Sequence, residues 1–162
     1  MAAPPIASSP APRSSAASAS PATAIEARHV AHVMDEKLGE RGDGTALRYL
    51  ADGQWRDVSW RELRGSVRDL SSALVDAGVA EGDRVAILAA NRPEWTMADL
   101  AVLRVRGVSF PIHATSSASQ VAFILKDSGA RFVFVDGGEP LAKVVAAIEA
   151  GVPIERVVVF GG

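Results

Sequence analysis

The chain has 162 residues, 17 Lys or Arg against 19 Asp or Glu, a formal net charge of −2 at pH 7 and no cysteine. This balance offers no basic face for nucleic acid. The lack of cysteine excludes disulfides and thiolate metal sites, which fits a reducing cytosol. No run of about 18 apolar residues occurs, so no segment reads as a membrane span.

Residues 1–24 are Ala, Ser or Pro at 20 of 24 positions and hold five of the nine prolines. They have no apolar periodicity, and their only charge is Arg13. They lack the basic start and apolar run of a secretory signal and the arginines of a transit peptide. The segment is therefore expected to be a disordered leader to a folded region at 25–162. Ile25, Val30, Val33, Met34 and Leu38 give an imperfect apolar stripe and predict a first helix, with Gly39 as its stop. Ala46–Leu50 and Trp55–Val58 then flank Asp52-Gly53, a dipeptide that accepts positive φ at both turn positions and predicts a hairpin.

The clearest helix is 60–77. Ser59 and Glu62 have capping-box spacing, Leu63, Val67, Leu70, Leu74 and Ala77 line one face, and Gly78 follows as a stop. Val85–Ala89 is apolar without alternation, as in a parallel strand covered on both faces. Pro93 opens a helix over 93–106 that is apolar almost all round and so calls for a partner layer on its far side. Val108–Ile112 is a short strand ended by Pro111. Ser117 and Gln120 offer a second capping box to a helix with Val121, Ile124, Leu125 and Ser128 inward and Gly129 as its stop. Arg131–Val135 is the next strand. Pro140 starts a helix with Leu141, Val144, Val145 and Ile148 inward, ending at Gly151. Arg156–Phe160 is the last strand and runs into Gly161-Gly162. Strands alternating with helices predict right-handed crossovers and a layered α/β lobe, its parallel sheet covered by helices on both faces, preceded by a helix and a hairpin. A final apolar strand with nothing after it to cover it suggests an incomplete domain of a larger α/β protein.

Motifs for chemistry are sparse. No glycine-rich dinucleotide fingerprint, no phosphate loop with its Lys and no nucleophile elbow is present. Asp136-Gly137-Gly138 lies after a strand and before a helix, but Asp136 and Glu139 would repel an anion there, and a plain turn accounts for it. Thr115-Ser116-Ser117 lies between a strand and a helix, so phosphate contact is conceivable. Ser117 as a helix cap is the simpler account. His29 and His32, with Glu26 and Glu36 a turn away, have metal-ligand spacing on a helix that reads as surface. His113 lacks an acid or nucleophile partner and reads as structural. Arg92 and Trp95 would make a substrate or interface contact, or else Asn91–Trp95 simply initiates the helix. No catalytic, cofactor-binding or metal-binding residue is assigned.

The order of these segments carries a resemblance. A hairpin leads to Val58-Ser59-Trp60-Arg61-Glu62-Leu63. Gly82-Asp83-Arg84-Val85-Ala86-Ile87-Leu88 and Asn91-Arg92-Pro93-Glu94-Trp95 come next. Gly107–Ser117 and Ser128–Val135 close the series. The series resembles the N-terminal part of the AMP-forming acyl-CoA synthetases, and Ala114-Thr115-Ser116-Ser117 followed by Gln120-Val121 resembles their long-chain fatty acid branch. The resemblance implies a two-step ligase. ATP and a fatty acid give an acyl-adenylate and pyrophosphate, coenzyme A displaces AMP, and Mg2+ neutralises the phosphates. It also implies that the phosphate loop, the adenine-binding and acidic motifs and the C-terminal lysine lie beyond these residues. This chain by itself is then expected to be inactive, with the rest of the synthetase as its partner. The implied location is the cytoplasm; attachment to a membrane surface and homo-oligomerisation stay open. His113 departs from the Tyr of many long-chain members. The residues also leave open a free-standing flavodoxin-like nucleotide- or protein-binding module, and a paralogue that pairs with a full-length synthetase.

Overall fold

The computed structural model describes residues 36, 37 and 39–161. The expected leader and most of the expected first helix lie outside them. Residues 36–37 and 39–41 are helical, so the helix runs through Gly39 and turns at Gly42, whose φ of +53° lies in the left-handed region. The hairpin follows as β1 (Thr45–Ala51) and β2 (Gln54–Ser59), antiparallel about Asp52 and Gly53, at φ 52° and 72°.

The remaining elements alternate. They are α1 (Trp60–Asp76), β3 (Arg84–Leu88), α2 (Pro93–Arg104), β4 (Val108–Pro111), α3 (Ala118–Ser128), β5 (Phe132–Asp136), α4 (Glu139–Glu149) and β6 (Arg156–Phe160). β3 to β6 form one parallel sheet in the order β4-β3-β5-β6. Because side chains alternate along a strand, the sheet builds two cores. Val85, Ile87, Phe132 and Phe134 pack with Leu63, Val67 and Leu74 of α1 and Ala98, Ala101 and Val102 of α2. Ala86, Leu88, Val133 and Val135 pack on the other face with Val121 and Leu125 of α3 and Val144 and Ala147 of α4. The lobe thus has three layers, and each fully buried Val, Leu, Ile or Phe contributes about 1.5–3 kcal/mol.

Local chemistry explains the helix starts. Ser59 accepts from the Glu62 amide at 3.2 Å while its own amide donates to Glu62 Oε2 at 2.8 Å. Ser117 and Gln120 repeat this at 3.3 and 2.9 Å. Both capping boxes satisfy donors that a helix start leaves orphaned. The α2 helix ends two residues early, because Arg106 takes a left-handed conformation at φ 62°. Every residue from 92 to 105 is buried or half-buried, and α1 supplies the partner on the far side.

Three inward assignments are corrected. Ala77 is exposed, since α1 has ended by Asp76. Ser71, not read as inward, is buried, with its hydroxyl donating to the Val67 carbonyl at 2.6 Å. On α4 the buried positions are Val144 and Ala147, three apart, which turns Val145 and Ile148 to the rim, where both are exposed.

Candidate functional site

In an open α/β sheet the ligand crevice lies at the carboxyl ends of the strands, where successive connections leave for opposite faces. Here that point falls between β3 and β5. The α2 helix leaves β3 for one core and α4 leaves β5 for the other. The residues at this crevice are Ala90, Asn91 and Arg92 after β3, and Asp136 at the end of β5.

The crevice is closed by an ion pair. Asp136 Oδ2 accepts from the Ala90 amide at 2.7 Å, and its Oδ1 accepts from Arg92 Nη1 at 3.0 Å. Arg92 Nε donates to Glu94 Oε2 at 2.8 Å, and Nη2 donates to the Gly161 carbonyl at 2.8 Å. The guanidinium also lies over the Phe160 ring, 5.5 Å from its centroid. Glu94, ahead of Asp136, holds this guanidinium above its ordinary range against the opposing effect of burial. The Arg92 hydrogen bond in turn holds the Glu94 carboxyl below its ordinary range.

This arrangement does not suit a nucleotide phosphate. One guanidinium faces two carboxylates, the local balance is negative, and each of its three nitrogens already has an acceptor. Nor does it suit Mg2+, since both carboxylates are bound to Arg92. A shallow cavity of about 220 Å³ flanks the pair, lined by Leu47, Arg48, Tyr49, Asn91, Arg92, Pro93 and Thr96. Its second arginine is also paired: Arg48 binds Asp57 through Nε at 2.6 Å and Nη2 at 2.8 Å, and these bonds hold the Asp57 carboxyl down to about 2.

A second open groove, of about 470 Å³, runs between the start of α3 and α4. Thr115, Ser116 and Ser117 line it from one side, Glu139 and Lys143 from the other. Ser117 serves as the α3 cap. Lys143 is the one cation on these walls, and its Nζ lies 2.9 Å from Glu139 Oε1. Lys143 escapes the motif search; its i,i+4 spacing from Glu139 is the signal that would have found it. His113 is exposed, with Nδ1 2.9 Å from Thr115 Oγ1. Trp95 is half-buried against the α1/α2 core and Pro93 sits at the first helical position, so helix initiation accounts for the Asn91–Trp95 turn except at Arg92. His29 and His32 lie outside the described residues. Among the described residues no group of three or more His, Asp or Glu could hold a metal ion, and no helix is long and apolar enough to cross a membrane.

Comparison with known proteins places the lobe. The chain is 38% identical over 136 residues to the long-chain-fatty-acid–CoA ligase FadD15 of Mycobacterium bovis, a match that covers 84% of this chain and 22% of that ligase. It is 31% identical over 143 residues to the uncharacterized protein Rv1549 of Mycobacterium tuberculosis, covering 88% of this chain and 74% of that protein. Among solved structures, a long-chain-fatty-acid–CoA ligase (FadD1) of Archaeoglobus fulgidus superposes with a TM-score of 0.72 at 23% identity, over 83% of this chain and 27% of that one. The chain thus spans about a fifth of the length of the ligase relative (22%), and the shared fold is that of the N-terminal lobe of adenylate-forming enzymes. The family model for AMP-binding enzymes matches residues 34–161, and the chain belongs to that family.

Proposed function

We propose that this chain is the N-terminal lobe of a long-chain fatty acid–CoA ligase. The whole enzyme would join a fatty acid to coenzyme A at the expense of ATP, through an acyl-adenylate. The supporting observation is 38% identity to FadD15 sustained over 136 residues, 84% of the chain. Within that enzyme the lobe is scaffold. Its sheet and two helix layers present a rigid wall, and its own switch-point crevice is filled by Arg92 and Asp136. ATP, Mg2+ and coenzyme A would be held by other parts of the enzyme, because the donors that stabilise a transferring nucleotide are not gathered here.

A chimera tests this reading. Residues 36–161 replace the matching segment of FadD15, and acyl-CoA formation is measured with a long-chain fatty acid. The expected result is a folded chimera with activity within about tenfold of FadD15, while the 162-residue chain alone releases no pyrophosphate. Adenylate formation by the chain alone, or a folded but inert chimera, would overturn it.

One observation favours a second reading. Rv1549 is matched over 74% of its length, so a chain of comparable extent has a counterpart. On that reading the lobe pairs with a separate synthetase chain. Co-purification of the tagged chain with a synthetase would select it, and a monomer on native mass spectrometry would exclude it.

A further inference from the structure

We infer that Arg92 is a latch that holds β6, an edge strand among the described residues, onto the carboxyl end of the sheet. The inference goes beyond the ligase reading and does not depend on it.

β6 is weakly held by everything else. Among the described residues it pairs only with β5, and both Val158 and Val159 are exposed, at 42% and 45%, although they point to opposite faces. Its main side-chain anchor is Phe160, which stacks on Phe134 with centroids 5.7 Å apart. A strand with one neighbour and little burial is the first to open locally.

Arg92 acts where β6 ends. Its three nitrogens reach the first turn of α2 (Glu94), the end of β5 (Asp136) and the Gly161 carbonyl just past β6. Its guanidinium carbon lies over the Phe160 ring, 5.5 Å from the centroid. The contact with Gly161 spans 69 residues of sequence and crosses from β3 over β5 to β6. The guanidinium serves its three acceptors from three separate nitrogens, whereas the three donors of a lysine ammonium sit on a single nitrogen at the end of a flexible stem. The latch also keeps Asp136 compensated, since without Arg92 that mostly buried carboxylate retains only the Ala90 amide. The geometry thus ties the exit of the fourth strand to the switch point.

The test is residue-resolved amide hydrogen exchange on the full 162-residue chain, comparing R92Q, R92K and D136N with the parent. In R92Q the β6 amides should exchange about tenfold faster, while β3 amides change less than about twofold. R92K should fail to restore β6, because it cannot span Asp136 and Gly161 together. D136N keeps an acceptor for the Ala90 amide and should loosen β6 by a smaller factor, also selectively. Unchanged β6 exchange in R92Q would overturn the latch. So would acceleration of β3 and β6 in step, in R92Q or, should R92Q not fold, in D136N, because Arg92 would then support the whole lobe rather than its edge.

Discussion

β5 and β6 are two five-residue parallel strands of nearly the same character, Phe132-Val133-Phe134-Val135-Asp136 and Arg156-Val157-Val158-Val159-Phe160. They lie side by side in register. Yet four of five residues of β5 are buried and only one of β6 is. The difference lies in what covers them. Among the described residues β5 has a strand on each side and a helix layer on each face, whereas β6 has a strand on one side and an exposed valine on each face. An apolar parallel strand is thus a statement about the sheet it suits, and burial is granted by neighbours.

The contrast can be broken most strongly at its centre. Phe134→Ala should cost about 3–5 kcal/mol, because it empties a fully buried site beneath Phe160, whereas Val158→Ala should cost no more than about 0.5–1 kcal/mol. Urea unfolding of the two variants measures both, and equal losses would mean that β6 is covered in solution. Gly107→Ala probes the covered side again. An added Cβ would meet Val102 Cγ1 at 2.9 Å and the Asp83 carbonyl at 3.3 Å, so a loss of about 1–3 kcal/mol is expected in the same assay. Ser59→Ala removes a cap at the exposed start of α1 and should cost about 1 kcal/mol. Val158→Lys should change stability by less than about 0.5 kcal/mol yet reduce concentration-dependent association, seen by light scattering, since a lysine blunts an open edge.

The smallest effect is that of acid. The Glu94 carboxyl is held below its ordinary value of 4.5, chiefly by its hydrogen bond from Arg92. A depressed carboxyl stabilises the fold above its unfolded value and loses that contribution as pH falls through its folded one. The Arg92 side of the lobe should therefore weaken as the pH drops below about 4.5. The acid dependence of the urea midpoint should be shallower in Glu94→Gln, and an unchanged slope would show that the pair contributes nothing to pH sensitivity.

Much of the fold was legible because it rests on local rules. Both capping boxes, the Asp52-Gly53 turn and the Pro93 helix start depend on residues within a turn of one another, and all stand where the sequence puts them. The errors arose where a stripe of apolar residues is wider than the contact it makes, as at Val145 and Ile148. The candidate crevice was half legible. Asp136 and Arg92 were each singled out, on separate grounds, but 44 positions separate them. Nothing in either local pattern says that they meet.

The amino-acid order alone determined the alternation of strands and helices, their caps and turns, and the serial signature of the AMP-binding enzymes, since each of these is written in short spans of neighbouring residues. Only the tertiary structure decided which strand lies at the edge and which two loops share the switch point. It alone made Arg92 bind Asp136 and the Gly161 carbonyl rather than a substrate or an interface. Strand order is a choice among long-range pairings, and a guanidinium takes its role from whichever acceptors folding brings within its reach.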